Sequence, residues 1–345
     1  MDKRAPRKTH KEDEMKIRQF ISKGPRQIAL AEAELGSPPD NGILVQNAYT
    51  AVSIGTEIYG WVHGGEPGRP PVFPRLTGYC SAGTVIEVGK DVTDTKPGDL
   101  VAGQTRHASH AICTDLYYKV PGGVSAKAAS LLVMAAISGH GNRVARIELG
   151  ESVVILGLGL VGQFALSLAK LSGGMPVIAV DLDDFRLEKA RDRGADVCIN
   201  PAQIPDIPAA IRTCCVDDGA NVVMECTGKP AVYPTAVKLA STAGRLISLG
   251  TPRGTVEMDF FTDVHLREVS ILGAVQPQTP ERDHIYYHWT KDRERTLLLK
   301  LMAQGELPTD DLITHVCKPE QCQEIYTMLA EKPERVLGVL FDWGT

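Results

Sequence analysis

The chain has 345 residues, enough for two domains, and 43% of them are hydrophobic, as is usual for a globular α/β protein. A net charge of −5 argues against a basic nucleic-acid-binding surface, and no apolar run is long enough to span a membrane. We therefore expect a cytoplasmic protein that binds neither nucleic acid nor membrane, and the eight scattered cysteines, without a CxxC pair, predict reduced thiols.

The predicted elements change in type along the chain. Residues 1–14 are so rich in charge that we expect a disordered tail, and short β-branched runs between glycine, proline and asparagine then predict a mainly β part. Strands and helices alternate from Ser152 onward, which is typical of a parallel doubly wound sheet. We expect a nucleotide-binding domain at 138–276, inserted between two parts of a β-rich domain at 15–137 and 277–345.

A glycine-rich turn opens the alternating part. The run VVILGLGLVG at 153–162 joins a predicted strand to Gly157, Gly159 and Gly162, and a helix is predicted at 163–171. The first glycine permits a tight bend, the second lets the backbone approach a pyrophosphate, and the third lets the helix pack on the strand. With Leu160 and Val161 between the glycines, this turn is the predicted cofactor-binding loop.

Asp181 ends the next predicted strand, at 177–180. A carboxylate there would bind the ribose 2′-hydroxyl of a dinucleotide and repel a 2′-phosphate. The predicted cofactor is therefore NAD rather than NADP. Arg186, five residues later, either covers the adenosine side or is a solvated helix charge.

Six motifs follow one another in a recognisable order. They are SIGTE at 53–57, TGYCSAGTVIEVG at 77–89, KPGDLV at 96–101, MAAISGHG at 134–141, GLGLVG at 157–162 and ECTG at 225–228. Together they resemble the medium-chain dehydrogenase/reductase superfamily, the alcohol dehydrogenase-like proteins, over residues 15–345. The resemblance implies a GroES-like β-barrel catalytic domain and a Rossmann domain, with the active site in the cleft between them.

The resemblance fails at the catalytic zinc. Where zinc-dependent members carry metal ligands, this chain has Ile54, Tyr79 and Met134, none of which suits tetrahedral Zn²⁺. The four-cysteine structural zinc loop is missing too, so we predict no metal and a likeness to the zinc-free subgroup that includes bacteriochlorophyllide dehydrogenase-like proteins. A rebuilt site with Cys80 and the residues of RHASHAIC remains an alternative, although a spacing of three alternates between strand faces.

Without zinc, side chains must move the hydroxyl proton. Tyr79 stands at the vacated ligand position, where it either acts as acid or base or simply fills space, and His107 is a candidate general base. By resemblance, Thr56 and Tyr59 match a proton relay, and Glu57 matches the acid behind the metal. The predicted substrate-pocket residues are His110, His140 and Trp289.

The resemblance also supplies weaker cofactor contacts and an assembly. It places Thr227 near the adenosine or its ribose and Arg335 near the pyrophosphate. The implied nicotinamide contacts are Leu249, Gly250, Ala274 and Val275. Relatives join the exposed edges of their nucleotide-domain sheets, so we expect a homo-oligomer, dimer or tetramer, formed around 272–275.

The sequence favours an NAD-dependent, zinc-independent dehydrogenase that oxidises a secondary hydroxyl of a sugar, polyol or cyclitol, or reduces the ketone. The polar pocket candidates favour a small hydroxylated substrate. Two alternatives stay open: a zinc-free enoyl or quinone-type reductase, and a non-catalytic NAD(H)-binding sensor.

Overall fold

The computed structural model describes residues 14–283, 285, 287–331 and 335–344, so residues 1–13 of the predicted tail lie outside the described part. The strands are β1 (Met15–Gly24), β2 (Gln27–Leu35), β3 (Ile43–Ala51), β4 (Arg75–Leu76), β5 (Ser81–Val88), β6 (Leu100–Gly103), β7 (His110–Cys113), β8 (Tyr117–Lys119), β9 (Val153–Leu156), β10 (Val177–Val180), β11 (Val197–Ile199), β12 (Ala220–Glu225), β13 (Ala240–Ser248), β14 (Ser270–Gly273), β15 (Ile313–Cys317) and β16 (Gly338–Asp342). The α-helices are α1 (Tyr59–His63), α2 (Ala126–Ala129), α3 (Leu132–Ala145), α4 (Leu160–Leu171), α5 (Asp184–Asp192), α6 (Ile207–Cys214), α7 (Tyr233–Leu239), α8 (Lys291–Ala303) and α9 (Cys322–Glu331).

The β-rich part contains two sheets. A three-stranded antiparallel sheet has the order β2-β1-β4, and a seven-stranded mixed sheet has the order β15-β16-β3-β5-β6-β8, with β7 pairing on β3. The last two strands of the chain thus pair with strands from its first third. The predicted boundaries at 137 and 276 stay a prediction, and α3 runs across the first of them.

The predicted parallel doubly wound sheet is present. Its six strands follow the order β11-β10-β9-β12-β13-β14, with every described pair parallel. The strands β9 and β10 are buried along their whole length because helices cover both faces of the sheet. The predicted start of the following helix was wrong: α4 begins at Leu160, inside the glycine motif, and not at Gln163.

This topology decides where a site can form. From β9 the chain first adds β10 and β11 on one side of the sheet and then adds β12, β13 and β14 on the other side, so the strand order reverses at β9 and β12. Open α/β sheets bind ligands at the carboxyl ends of the strands at such a reversal. Among the described helices, none has the length and apolar character needed to cross a membrane.

Candidate functional site

The glycine-rich turn lies at the carboxyl end of β9 and leads directly into α4. Gly157 has a φ of +86°, and a Cβ placed on it would lie 2.6 Å from Cγ2 of Thr227. A Cβ on Gly162 would lie 1.9 Å from the carbonyl oxygen of Gly157. A Cβ on Gly159, by contrast, would have no heavy atom within 4 Å. Packing therefore requires Gly157 and Gly162, whereas Gly159 borders open space.

The space at Gly159 fits a pyrophosphate. Gly159 is the N-cap of the twelve-residue α4, and this cap has no side-chain hydrogen bond to the first N–H groups. Free N–H groups and the positive end of the helix dipole favour a bound anion. Leu160 is buried and Val161 is half-buried, which leaves their backbone as the part that a cofactor would meet. The residues present thus fit a dinucleotide.

Asp181 lies at the rim of the same turn. Its Oδ2 accepts a hydrogen bond from the backbone N–H of Leu158 at 2.6 Å, and its Oδ1 accepts one from the N–H of Asp183 at 2.9 Å. Arg186 lies between the two carboxylates, 3.9 Å from Asp181 and 3.6 Å from Asp183. The guanidinium of Arg335 stacks on the ring of Phe185 at 4.7 Å, so both predicted arginines lie beside the start of α5.

The other predicted cofactor residues follow the carboxyl ends of β12, β13 and β14. They are Thr227, Leu249, Gly250, Ala274 and Val275. Leu249 packs against α3, where a Cβ on Gly141 would lie 2.8 Å from its side chain. Ala274 is buried, whereas Val275 is 55% exposed. The structure brings these residues to the carboxyl end of the parallel sheet, where the glycine-rich turn also lies.

Packed side chains surround the residues at which the resemblance would place a catalytic zinc. Cys80 and Met134 are buried in one apolar cluster, and the ring of Tyr79 packs against it. The hydroxyl of Tyr79 donates a hydrogen bond to Oγ of Ser53. Burial is the main cause that raises the pKa of Tyr79, and the nearby Cys80 raises it further. Burial also raises the pKa of Cys80 well above the usual thiol value.

A zinc ion does not fit this donor set. Zinc binds thiolate, imidazole or carboxylate, whereas Ile54 and Met134 offer none of these and the Tyr79 phenol is held protonated. Within the described residues, no group of three or more His, Cys, Asp or Glu side chains could hold a metal. The alternative ligands are also separated, because Cys80 and Cys113 belong to different apolar clusters.

Glu57 is a buried carboxylate with three hydrogen-bond donors. Its Oε1 accepts from the backbone N–H of Ser53 at 2.8 Å, and its Oε2 lies 3.0 Å from Nε2 of His107 and accepts from the Tyr326 hydroxyl at 2.6 Å. Burial alone would raise the pKa of Glu57, but His107, Tyr326 and the Ser53 N–H together lower it below the ordinary value. The carboxylate is therefore ionised. Its three donors, from Ser53, His107 and Tyr326, belong to buried residues.

His107 lies in the core, not at a pocket surface. Its side chain is 0% exposed and packs on Phe20 and Phe341. Nδ1 lies 2.7 Å from Oγ1 of Thr50, which also accepts the indole N–H of Trp343 at 3.0 Å. Both ring nitrogens are thus engaged, which favours a role for His107 in holding Glu57 over the predicted role of general base.

The predicted relay residues lie beside this network. Thr56 belongs to a π-helical turn, Ile54–Ile58, and its hydroxyl lies near enough to Tyr79 to lower the pKa of the phenol slightly against the effect of burial. Tyr59 begins α1, and the guanidinium carbon of Arg253 lies 4.4 Å from the centre of its ring. The structure therefore brings Thr56 to Tyr79 and places Tyr59 under an arginine from the parallel-sheet half.

The three predicted pocket residues lie in three different settings. His140 in α3 is 6% exposed, its Nδ1 lies 3.0 Å from Oγ1 of Thr279, and burial lowers its pKa. His110 is half-buried in β7, and burial lowers its pKa as well. Trp289 is covered on one face by the guanidinium of Arg143 at 3.4 Å. Of these three residues, His140 lies in α3, the helix that also contacts Leu249.

Sequence reasoning missed several residues of this network: Ser53, Thr50, Tyr326, Trp343 and Arg253. Ser53 belongs to the SIGTE motif and could have been included from its place beside Ile54. Tyr326 lies 269 residues from Glu57 along the chain, and no local pattern connects them.

Comparison with known proteins gives a consistent picture. A family model described as zinc-binding dehydrogenase matches residues 161–287. D-guloside 3-dehydrogenase of Escherichia coli K12 is 28% identical, over 94% of this chain and 100% of that protein. Sorbitol dehydrogenase 2 of Saccharomyces cerevisiae is 26% identical, over 86% of this chain and 90% of that protein.

A solved structure of an Escherichia coli oxidoreductase/dehydrogenase of unknown specificity, involved in membrane biogenesis, has a similar fold. Its TM-score is 0.84 at 22% identity, with 95% of this chain and 99% of that chain covered. The predicted fold class, a GroES-like β-barrel domain with a Rossmann sheet, is confirmed.

Proposed function

We propose that this protein is an NAD-dependent dehydrogenase that works without zinc. Its similarity to zinc-binding, alcohol dehydrogenase-like dehydrogenases supports this proposal. It oxidises a secondary hydroxyl of a sugar, polyol or cyclitol, or reduces the corresponding ketone. The observation that carries the proposal is the position of Tyr79, a protonated phenol at the vacated metal position, hydrogen-bonded to Ser53.

NAD is the proposed cofactor because of Asp181. The carboxylate is held at the rim of the glycine-rich turn by the Leu158 N–H, where it would accept hydrogen bonds from a ribose and repel a 2′-phosphate. A bound dinucleotide would supply or accept the hydride at the substrate carbon. Leu249, Gly250 and Ala274 would orient its nicotinamide, and the open space at Gly159 would hold its phosphates.

Tyr79 supplies the proton in the reductive direction. The phenol of Tyr79 is protonated at neutral pH, and burial raises its pKa further, so it holds the proton that it donates to the substrate oxygen as the carbonyl carbon is reduced. The hydroxyls of Ser53 and Thr56 are the neighbours through which the phenol is reprotonated. In the oxidative direction the proton of the substrate hydroxyl passes to the phenol oxygen of Tyr79 as the phenol proton passes along the same hydroxyls to solvent.

The substrate class rests on the relatives and on the polar neighbours of the site. The names of the two relatives describe a guloside dehydrogenase and a sorbitol dehydrogenase, which both act on polyhydroxylated compounds. Hydroxyl and imidazole groups such as those of Thr56 and His140 lose binding energy when they are left unpaired, so they favour a hydroxylated substrate.

A homo-oligomer is proposed from the edge of the parallel sheet. β14 ends the strand order, all four of its residues are exposed, and Leu272 and Val275 present apolar side chains there. An open, apolar strand edge is suited to pairing with a second copy. Light scattering is expected to give a dimer or tetramer mass, and a monomer at micromolar concentration would contradict this.

The proposal is tested with a panel of sugars, sugar acids, cyclitols and secondary alcohols, each with NAD⁺ and with NADP⁺. We expect reduced cofactor to form with at least one polyhydroxylated compound and NAD⁺ to be preferred. Oxidation of added NADPH by activated alkenes, with no reaction on the panel, would support the reductase alternative instead. NADH binding without any reaction would support the sensor alternative.

A further inference from the structure

Arg253 connects the two halves of the molecule. It follows the parallel-sheet strand β13, and its Nε and Nη2 donate to the two carboxylate oxygens of Glu66 at 2.7 and 2.8 Å. Its Nη1 donates to the carbonyl oxygen of Gly55 at 3.3 Å, and its guanidinium lies over the ring of Tyr59. One side chain thus makes three kinds of contact with the segment 55–66.

The ion pair joins a nearly buried guanidinium to a carboxylate that is 47% exposed. The Arg253 side chain is only 9% exposed, and its two parallel hydrogen bonds to one carboxylate are the geometry that guanidinium favours. Hydrogen bonding to Arg253 lowers the pKa of Glu66, so the carboxylate stays ionised at neutral pH. The contact is therefore present under working conditions.

Each end of this contact lies next to a functional segment. On one side, Arg253 is three residues from Gly250, whose backbone N–H bonds to the carbonyl of Glu225 at 2.7 Å beside the predicted nicotinamide edge. On the other side, Gly55 belongs to the π-helical turn that carries Thr56 and Glu57. One side chain thus joins the loop after β13 to the turn that holds the hydroxyl relay.

We propose that Arg253 is a positioning residue that couples the dinucleotide site to the hydroxyl relay, through Glu66, Gly55 and Tyr59. This inference rests on the proposed function, since it assumes that a dinucleotide contacts the loop 249–254. Binding of the cofactor fixes that loop, and Arg253 then fixes the turn at 54–58 and the ring of Tyr59 for reaction.

The test compares NADH-dependent hydrogen exchange of residues 54–66 in the wild type and in Arg253→Gln, Arg253→Lys and Glu66→Gln. NADH is expected to slow exchange of this segment in the wild type and to leave it unchanged in Arg253→Gln and Glu66→Gln. Arg253→Lys should be intermediate, because a lysine keeps the charge but cannot make both parallel bonds. Arg69→Gln, an exposed neighbour in the same loop, is the matched control and should behave as the wild type.

Kinetics provide a second readout. On the substrate found in the panel, Arg253→Gln should lower kcat by about fivefold, within the range that substitutions along a coupling network produce, and should change the Kd for NADH less. The double variant with Glu66→Gln should be no worse than Arg253→Gln alone, since Glu66 acts in this coupling through its bonds to Arg253. Additive losses, or full NADH-dependent protection in Arg253→Gln, would overturn the coupling.

The two proposals fail in different ways. If NADH does not bind the wild type, the proposed function is wrong and the coupling is wrong with it. If NADH binds and exchange at residues 54–66 does not respond in the wild type, only the coupling is wrong.

Discussion

Glu57 and His107 illustrate how residue type alone misleads about chemistry. Both are candidate acid–base residues by their side chains, yet they bind each other in a closed network with Tyr326 and Thr50. A buried carboxylate is tolerated there because every oxygen has a donor. The pair therefore stabilises the turn at 54–58, and the proposed chemistry assigns the reaction to the hydroxyls beside it.

Replacement of Glu57 by Gln tests this structural role. The amide would oppose a donor in the buried network, so we expect unfolding free energy to fall by about 1–3 kcal/mol, measured by urea denaturation at pH 7. The folded-state pKa of Glu57 is lowered, so its contribution is present above the unfolded value of about 4.3 and is lost as the pH falls through the lower folded value. A difference between variant and wild type that stays constant down to acid pH would contradict the account.

Tyr79 is the residue on which the proposed chemistry depends. Tyr79→Phe removes the proton donor and keeps the ring that packs on the apolar cluster, so we expect kcat to fall about 100-fold or more, with the Kd for NADH unchanged. Tyr118→Phe is the matched control, because Tyr118 packs on the same cluster while its hydroxyl bonds to Asp292 instead. Steady-state rates and fluorescence titration measure both variants, and near-normal kcat in Tyr79→Phe would remove the phenol from the reaction.

At the scale of elements, Gly159 and Gly162 belong to one glycine-rich motif but are glycine for different reasons. Gly162 is required by packing of α4 against the turn, since an added Cβ would meet the Gly157 carbonyl oxygen. Gly159 has open space and an ordinary φ of −65°, so the protein itself does not need glycine there. Its glycine is then explained by the close approach of a ligand.

Two alanine substitutions distinguish these requirements. Gly162→Ala should destabilise the protein by about 1–3 kcal/mol or more, as overpacking does, and should also lose NADH binding. Gly159→Ala should keep the wild-type melting temperature and still bind NADH much more weakly. Thermal unfolding and NADH fluorescence on the same samples provide the readouts. Unchanged NADH affinity in Gly159→Ala would place the cofactor elsewhere.

At the scale of the whole molecule, the candidate site is assembled from distant parts of the chain. The β-rich half contributes Ser53, Thr56 and Tyr79, and the parallel-sheet half contributes the glycine-rich turn and the edge at Leu249. Arg253 crosses between the halves. The two halves also share an apolar cluster, so Arg253 adds a polar contact to an interface that is already packed.

The sequence predicted what short-range pattern determines. The glycine turn, Asp181 and the alternation of strands and helices each depend on neighbouring residues, and the parallel sheet was predicted correctly from them. The burial of His107 and the bond from Tyr326 to Glu57 depend on packing between segments far apart in sequence. Such contacts leave no periodic signal, so candidate roles for single histidines could not be decided from the sequence.

The central claim is that the hydroxyl chemistry proceeds without zinc. It is tested most directly by NADH formation on the best substrate of the panel, using protein treated with a strong chelator and assayed with and without added Zn²⁺. We predict that turnover survives chelation and that Zn²⁺ does not increase it, because Ile54, Tyr79 and Met134 provide no zinc site. Loss of turnover on chelation, restored by Zn²⁺, would contradict the account.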